Sequence, residues 1–338
     1  MFWSWEVAKK FDQLLTDTKP DIIHIHNIYH HLSPSLLPVA KRHNIPVVMT
    51  VHDYKLVWPH HLLYGYAPGA SYWRVVRERS TQGSYIKSAL TVLETYLHDW
   101  MGVYKNNIDL FLAPRMFLKT MMIDAGYDSS KIQVLPHFIN LESRIPAPKL
   151  TRWYGAGTNQ ESRKKTLLFF GRLSKEKGVD TLLTMMHSMK SDVELRIVGT
   201  GPAEESLKSK VKSQKLQNVT FLGYVDDQTL ADEIDRAELV VIPSLFPETF
   251  GFTVLEALAH GKAVVGSNIG AVPELIEDRK TGLLVKPGDA EDLGEKVQYL
   301  LSHHDERHAM ERNARVVAKQ YTPEEHYRQL FHYYETLL

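Results

Sequence analysis

Short apolar, β-branched runs alternate with helical segments along most of this 338-residue chain. Near the start, the strand-like run DIIHIHN is followed by the helical segment SPSLLPVAKRHN and then by the strand-like run PVVMTVH. In the second half, helical segments separate the runs TLLFFG, ELRIVG, VTFLG and LVVIPS. Strands that alternate with helices usually pair in parallel, because the helix carries the chain back to the starting edge. The alternation therefore predicts an α/β fold with parallel sheets covered by helices.

A change in composition divides the chain. Residues 140–165 lose the hydrophobic periodicity and gather Pro, Gly and charged residues, so we expect a linker there between two domains. The predicted first domain, residues 1–145, has only three or four strands and carries a long insertion at about residues 54–107 that is rich in aromatic residues and arginine. The predicted second domain, residues 146–320, is expected to be a complete doubly wound unit.

Both ends of the chain are predicted to be amphipathic helices. The last one, TPEEHYRQLFHYYETLL, begins with a threonine cap and two acids in its first turn. The first one, MFWSWEVAKKFDQLL, contains acidic residues and lacks the charged-then-apolar design of a signal peptide. Its apolar side is expected to comprise Phe2, Trp5, Phe11, Leu14 and Leu15.

Composition excludes several classes of protein. Lys plus Arg and Asp plus Glu both total 40, so the chain lacks the basic excess that is typical of nucleic-acid binding. It contains no cysteine, which removes disulfides, thiolate zinc sites and cysteine nucleophiles. No run approaches the roughly 18 apolar residues of a membrane span. We therefore expect a soluble, cytoplasmic protein that binds no nucleic acid.

Four segments of the second half place glycine or charged residues where a predicted strand ends. They are FFGRLSKEKGVD, RIVGTGPAEESL, PSLFPETFGFTVLEAL and NIGAVPELIEDRKTGLLV, the last of which contains Gly270 and Glu274. Ligands of open α/β sheets bind outside the carboxyl ends of the strands, where helix amino termini point their N–H groups outward. The four segments are therefore candidates for one ligand site.

The first two segments allow two interpretations each. Arg172 and Lys177 follow Gly171 at a strand end and fit a diphosphate clamp, although a basic surface loop would have the same composition. Gly199 and Gly201 would let a ligand approach the backbone, but a sharp strand-to-helix turn also needs glycine. The segment lacks the full dinucleotide-binding fingerprint, so hydride chemistry has little support.

The third segment contains two glutamates, Glu248 and Glu256, on opposite sides of Gly251. If Gly251 forms a turn, a helix begins near Phe252 or Thr253 and Glu256 lies in its first turn. An acid in that position stabilises the helix dipole by roughly 0.3–1 kcal/mol. That interaction would account for Glu256 but not for Glu248.

The first domain contributes a histidine at a strand end. His52 follows the run PVVMTV and could bond a substrate hydroxyl, although a hydrogen-bonded surface histidine is the more common case. The remaining histidines near these strands show no recognisable zinc spacing, so a metal cluster is the weakest interpretation. They are His24, His26, His30, His31, His60 and His61.

Taken together, these segments resemble the family-four glycosyltransferases, which are retaining enzymes of the GT-B fold that use nucleotide-sugar donors. The second half matches with GRLSKEKGVD, RIVGTGPAEESL, FLGYV, PSLFPETFGFTVLEALAHGKAVVGSNIGAVPELI and TGLLVKPGD. The first half matches with PDIIHIHNIYHHLSPSLL, IPVVMTVHDYKL and KIQVLPHFIN. The resemblance implies two Rossmann-like domains that face a cleft, an acceptor side in residues 1–145, a donor side in 146–320, and a helix in 321–338 that crosses back.

The resemblance also implies a role for each matched residue. Arg172 and Lys177 would hold the donor diphosphate and neutralise the charge that develops on the leaving group. Glu248 would contact the transferred sugar, and His52 would face that sugar from the first domain. Together these four form the predicted catalytic set. Glu256 would bind the ribose hydroxyls. The other predicted donor contacts are Gly171, Gly199, Gly201, Tyr224, Val225, Phe250, Gly251, Phe252 and Thr253.

The implied donor is a UDP- or GDP-type sugar, and the implied acceptor is a glycan, a lipid-linked molecule or a small molecule. No metal or other cofactor is expected, while a peripheral membrane contact stays open. Family members usually begin with a strand and a glycine-rich loop, and this sequence begins after that point. The expected first domain is therefore incomplete, and a non-catalytic nucleotide-sugar-binding protein is the main alternative. Sugar epimerisation fits the Arg-Lys and Glu arrangement less well than transfer.

Overall fold

The computed structural model describes residues 3–29, 32–59, 71–81, 83–140 and 164–338. The chain divides into two compact units, which we name unit 1 (Met1–His137 with His326–Leu338) and unit 2 (Phe138–Glu325). The predicted linker and domain boundary fall almost wholly within residues 141–163, which lie outside the described residues.

Unit 1 is built on a parallel sheet with the strand order β1-β2-β3-β4. Every side chain of β2 and β3 is buried, which explains why these strands are continuous apolar runs and not alternating ones. Four strands in the described part of this unit agree with the three or four expected. The strands are β1 (Ile23–Ile25), β2 (Val47–Thr50), β3 (Leu110–Ala113) and β4 (Ile132–Val134).

In the described residues, five helices that precede unit 2 in the chain accompany this sheet. Helices α1 and α4 each begin with a serine cap, and α3 packs against α4. The helices are α1 (Trp5–Thr18), α2 (Leu37–Arg42), α3 (Trp73–Arg77), α4 (Tyr85–Trp100) and α5 (Met116–Asp124).

The apolar side predicted for α1 is partly wrong. Leu15 is buried and Phe11 packs against the core, but Trp5 and Leu14 are 79% and 51% exposed. The helix presents a narrower stripe to the unit than its apolar residues suggested. Phe2 lies outside the described residues.

Unit 2 is a doubly wound parallel sheet, as the sequence predicted, and its strand order is β10-β9-β8-β5-β6-β7. Successive residues of β5 alternate between two cores, with Leu167 on one face and Leu168 on the other. The strand order reverses between β5 and β8, and such a reversal creates a crevice at the carboxyl ends of the strands. The strands are β5 (Lys165–Phe170), β6 (Val193–Val198), β7 (Val219–Gly223), β8 (Leu239–Ile242), β9 (Val264–Ser267) and β10 (Gly282–Val285).

Helices cover both faces of this sheet. Helix α9 packs into the core that contains Leu168, and helices α6 and α10 pack into the core that contains Leu167. The helices are α6 (Val179–Met186), α7 (Glu204–Ser213), α8 (Asp227–Arg236), α9 (Phe252–Ala259), α10 (Ala290–Ser302) and α11 (His304–Ala318). Within the described ranges, no helix of either unit combines the length and apolarity that crossing a bilayer requires.

The last helix, α12 (Pro323–Glu335), has the predicted start. The backbone N–H of Glu325 donates to the Thr322 hydroxyl at 3.3 Å, and Glu324 and Glu325 occupy the first turn. From His326 onward the helix belongs to unit 1, where Leu330 packs against buried residues of β2 and β3.

Candidate active site

The reversal of strand order in unit 2 brings two loops together. The backbone N–H of Leu245, after β8, donates to the carbonyl of Glu176, after β5, at 2.8 Å. Gly178 has a φ of 71°, and a Cβ there would lie 1.9 Å from the carbonyl oxygen of Pro243. Only glycine permits both this conformation and this approach. The first and third predicted segments therefore share one site.

The contact between these loops includes two predicted catalytic side chains. The Lys177 ammonium donates to Glu248 Oε1 at 2.7 Å, and the Ser244 hydroxyl donates to the same oxygen at 2.9 Å. The Lys177 and Glu248 side chains are only 23% and 12% exposed, so their attraction is less screened than on an open surface. The Lys177 ammonium also lies 5.1 Å from the ring centroid of Phe246. The Lys177–Glu248 pair is thus held in place by Ser244 on the glutamate and by Phe246 on the lysine.

The fourth predicted segment fixes the backbone of Glu248. Glu248 and Gly270 form a parallel bridge, and the Ala271 N–H donates to the Glu248 carbonyl at 2.9 Å. Gly270 has a φ of 62°, and a Cβ there would lie 2.5 Å from the Glu248 nitrogen. The orientation of Glu248 therefore depends on the loop after β9. Glu274 lies in a short 3₁₀ turn of the same segment and is half-buried.

Helix α9 begins at Phe252, in agreement with the prediction, but Glu256 does not lie in its first turn. The helix starts from Gly251, which has a φ of 91°, and neither a side-chain cap nor an acid occupies the first turn. The prediction placed Glu256 one turn too early, so stabilisation of the dipole does not account for this half-buried glutamate. The first N–H groups of a helix have no partner within it, and here no acidic side chain of the first turn neutralises them. This end of α9 suits an anion.

Gly171 and Arg172 lie at the carboxyl end of β5, at the same edge of the sheet as the start of α9. A Cβ on Gly171, at the end of β5, would lie 3.8 Å from Thr253 Cγ2 in the first turn of α9. Arg172 follows Gly171 and is exposed. The loop that carries Arg172 and Lys177 therefore starts beside the amino terminus of α9.

The glycines of the second predicted segment pack against the first. A Cβ on Gly199 would lie 1.9 Å from the carbonyl oxygen of Gly171, and one on Gly201 would lie 2.3 Å from that of Leu173. The Leu173 N–H donates to the Thr200 carbonyl at 2.9 Å. This packing accounts for both glycines without a ligand, which was the alternative interpretation of the segment. A donor contact by either glycine stays a prediction.

Aromatic side chains border the site. Phe250 is buried, whereas Phe252 is exposed, and their rings meet edge to face at 4.8 Å. Tyr224 follows β7 and is 83% exposed, while the neighbouring Val225 packs partly against the core. Among these predicted donor contacts, Phe250 is buried and Val225 is partly buried, whereas Phe252 and Tyr224 are exposed to solvent.

In unit 1, His52 belongs to a row of stacked histidines at the carboxyl edge of the sheet. Its Nε2 lies 2.7 Å from Nδ1 of His26, and the ring of His137 stacks on it at 5.1 Å. The ring of His24 stacks on the ring of His26, with 4.7 Å between the ring centroids. His24 is in turn bonded to the Thr50 hydroxyl at 2.7 Å. Sequence reasoning found three of these histidines and missed His137, although His137 also follows a predicted strand in KIQVLPH.

Burial keeps this row uncharged. It lowers the pKa of His24 to about 4 and that of His137 to about 3, with smaller contributions from the neighbouring histidines. The pKa values of His26 and His52 are lowered for the same reason. A neutral imidazole has one donor and one acceptor nitrogen, so the row can exchange hydrogen bonds with hydroxyl groups.

The described residues offer no cluster of three His, Cys, Asp or Glu side chains with the geometry of a metal site. His30, His31, His60 and His61 from the weakest interpretation lie outside the described residues.

Comparison with known sequences assigns both halves of the chain. Residues 156–317 match the family profile described as "Glycosyl transferases group 1", and residues 2–143 match "Glycosyltransferase Family 4". The chain belongs to the family-four glycosyltransferases. A phosphatidyl-myo-inositol mannosyltransferase of Mycobacterium leprae is 30% identical over 251 residues, which cover 71% of this chain and 63% of that protein. A sulfoquinovosyl transferase of Arabidopsis thaliana is 26% identical over 312 residues, which cover 90% and 54%.

Solved structures show that this family-four glycosyltransferase has the GT-B fold. The Anabaena protein HepE in complex with UDP matches with a TM-score of 0.75 at 19% identity, covering 97% of this chain and 82% of that one. Sucrose-phosphate synthase from Thermosynechococcus elongatus matches with a TM-score of 0.72 at 20% identity, covering 98% and 77%. The chain spans less than two thirds of the length of the two curated relatives named above.

Proposed function

We propose that this chain transfers a sugar from a nucleotide-diphosphate-sugar donor to an acceptor hydroxyl, with retention of the anomeric configuration. The observation that carries the proposal is the Lys177–Glu248 pair of unit 2, at 2.7 Å, at the reversal of strand order and on the edge that also contains the uncapped start of α9. One cation, one carboxylate and a set of outward N–H groups match the charged and hydroxylated parts of such a donor.

The diphosphate end of the donor carries the growing negative charge of the reaction. Arg172, Lys177 and the first-turn N–H groups of α9 supply positive charge and hydrogen-bond donors at one edge. Groups that are already in place when charge develops stabilise the transition state more than the ground state. We propose that these protein groups do so without an obligatory divalent ion, so that a chelator should leave the rate unchanged.

The remaining residues would bind the sugar and the nucleoside of the donor. Glu248 would accept hydrogen bonds from hydroxyls of the transferred sugar, and Glu256 would accept them from the ribose. The backbone from Phe250 to Thr253 would approach sugar and phosphate, which Gly251 permits because it has no side chain. Tyr224 and Val225 would border the base. His52, whose pKa is lowered by burial, would bond a substrate hydroxyl as a neutral imidazole.

The comparisons favour a UDP-type donor over a GDP-type one, because the similar Anabaena structure holds UDP. The acceptor proposed is a glycan or a lipid-linked molecule, since similar proteins are described as a phosphatidyl-myo-inositol mannosyltransferase and a sulfoquinovosyl transferase. We place the reaction in the cytoplasm, in cell-envelope or exopolysaccharide synthesis, with the acceptor presented at a membrane.

The test measures donor binding and turnover together. Calorimetry with UDP-glucose, UDP-galactose and GDP-mannose identifies the donor, and release of the nucleoside diphosphate measures hydrolysis or transfer. Product NMR then reads the anomeric configuration. Binding with turnover and a retained configuration is expected. Binding without any turnover would favour the non-catalytic alternative, and an inverted product would refute the retaining assignment.

A further inference from the structure

Helix α4 exposes most of its large apolar side chains to solvent instead of burying them in the core. The buried side chains of α4 are Ser88, Val92 and His98, and only Val92 among them is apolar. The Ser88 hydroxyl accepts from the Thr81 N–H at 3.0 Å. Its apolar stripe points outward, with side chains that are between 37% and 84% exposed. This stripe recurs every three or four residues and comprises Ile86, Leu90, Leu93, Leu97 and Trp100.

Aromatic side chains extend the outward face beyond the stripe. Trp73 on α3, which packs against α4, is 74% exposed. Tyr85 and Tyr96 of α4 are each more than half exposed. We call the exposed side chains of these two helices the α3–α4 surface. Exposed apolar side chains that form a contiguous patch mark an interaction site, whereas scattered ones do not.

The charges at the α3 end of this surface are mainly positive. Arg77 and Arg79 are exposed, and the Arg79 guanidinium lies 4.2 Å from the ring centroid of Tyr85. The nearby carboxylates all have cationic partners, at distances between 2.6 and 3.2 Å. These pairs are Glu78 with Arg74, Glu94 with Lys55 and Asp99 with Lys105.

We propose that the α3–α4 surface binds the headgroup region of an anionic lipid bilayer. An outward apolar stripe with Trp and Tyr beside it and arginines at one end has the composition of a helix that lies in the membrane interface. The arginines complement lipid phosphates, whereas a protein partner with this apolar seam would need an acidic rim to match them. The inference concerns unit 1 alone and does not depend on the proposed catalysis.

Vesicle co-sedimentation tests the inference with the full chain and no donor or acceptor. The chain should bind vesicles of phosphatidylcholine with phosphatidylglycerol and bind pure phosphatidylcholine vesicles much less, with binding weakened by salt. Leu93→Gln should weaken binding to the anionic vesicles about tenfold, because a buried apolar side chain is lost from the interface. Leu14→Gln is the matched control, since Leu14 is exposed to a similar extent on α1.

A second pair of variants tests the role of charge. Arg77→Gln should weaken binding to anionic vesicles about fivefold, whereas Lys9→Gln, an exposed cation of α1, should have little effect. Circular dichroism and thermal unfolding verify that each variant is folded. Equal binding by Leu93→Gln and the wild type would overturn the inference. A second outcome would also overturn the inference. If the wild type does not bind vesicles but sediments as a dimer, and Leu93→Gln dissociates that dimer, the α3–α4 surface binds a second copy of the chain.

Discussion

The carboxyl edges of the two sheets differ in chemistry although both sheets are parallel. In unit 2 the edge is charged, with the Lys177–Glu248 pair and backbone N–H groups at the start of α9. In unit 1 the edge is a row of imidazoles whose pKa values are lowered by burial, so that they are neutral at neutral pH. The same topology therefore supports two different ligand environments, one for an anion and one for neutral hydroxyls.

The difference arises in the loops and not in the strands. The central strands of both units, β2, β3, β5 and β8, are apolar runs that bury nearly every side chain. In unit 2 glycines let the loops approach each other closely, as at Gly178 and Gly270. In unit 1 stacked imidazole rings line the edge instead. A ligand at the edge of unit 2 would contact backbone groups and charged side chains. A ligand at the edge of unit 1 would contact the nitrogens of imidazole rings.

Removal of the cation should have the largest effect. We expect Lys177→Ala to lower the rate of transfer about 1000-fold, because one group that stabilises charge in the transition state is worth about a hundred- to a thousandfold and a partly buried carboxylate loses its partner. The thermal midpoint should fall modestly, because Glu248 loses its charged partner but keeps the bond from Ser244. Steady-state kinetics with the donor found by calorimetry provides the measurement.

Lys175→Ala is the matched control for this prediction. Lys175 lies in the same 3₁₀ turn as Lys177 but is exposed, so its loss should leave the rate within about twofold of the wild type. Unchanged transfer by Lys177→Ala would show that the charged edge of unit 2 is not the place where the leaving group is stabilised.

The close loop contact in unit 2 can be broken without touching a charge. Gly178→Ala should lower the free energy of unfolding of unit 2 by about 3 kcal/mol, because a Cβ would meet the Pro243 carbonyl and the φ is unfavourable. Gly223→Ala also has a positive φ, of 69°, but open space around the Cβ, so about 1 kcal/mol is expected. Urea denaturation of both variants measures the difference. Equal losses would show that backbone conformation alone, and not the approach of the loops, requires glycine at 178.

The neutral row in unit 1 should make stability depend on pH. Below about pH 6.5 these histidines become protonated in the unfolded chain but stay neutral in the folded chain. The free energy of unfolding therefore falls as the pH falls. The loss continues toward the folded pKa values, about 4 for His24 and about 3 for His137. His24 and His137 should each contribute about 1 kcal/mol, after allowance for their partial exposure.

Replacement of one histidine isolates this effect. His137→Gln should reduce the loss of thermal stability between pH 7 and pH 4.5, whereas His187→Gln, an exposed position in unit 2, should leave it unchanged. An identical loss in wild type and His137→Gln would mean that the row does not exclude protons as its burial indicates.

Sequence reasoning recovered the fold because the strands are buried on both faces. Runs such as TLLFFG and LVVIPS have no polar alternation, which identifies central strands of a covered parallel sheet. The helix starts were also accessible, since Thr322 and Gly251 are typical of such positions. The family resemblance then supplied the order in which these elements meet.

What the sequence missed depends on which side of an element faces the core. Periodicity predicted an apolar side on α1, but it did not show that Trp5 and Leu14 point outward. Glu256 was expected in the first turn of α9, but it is the fifth residue of that helix and lies just beyond the first turn. The requirement for Gly199 comes from the carbonyl of Gly171, a contact that exists only once two loops are packed together.

The smallest effect is expected at the rim of the charged edge. Tyr224 is 83% exposed, so Tyr224→Ala should leave stability unchanged. If its ring borders the base of the donor, the KM for the donor should rise about fivefold with kcat unchanged, because a stacking contact is worth about 1 kcal/mol and is made equally in ground and transition states. Tyr72→Ala, in unit 1, is expected to leave the KM for the donor unchanged. A lower kcat for Tyr224→Ala at unchanged KM would contradict the assignment, since it would place the ring next to the reacting atoms and not next to the base.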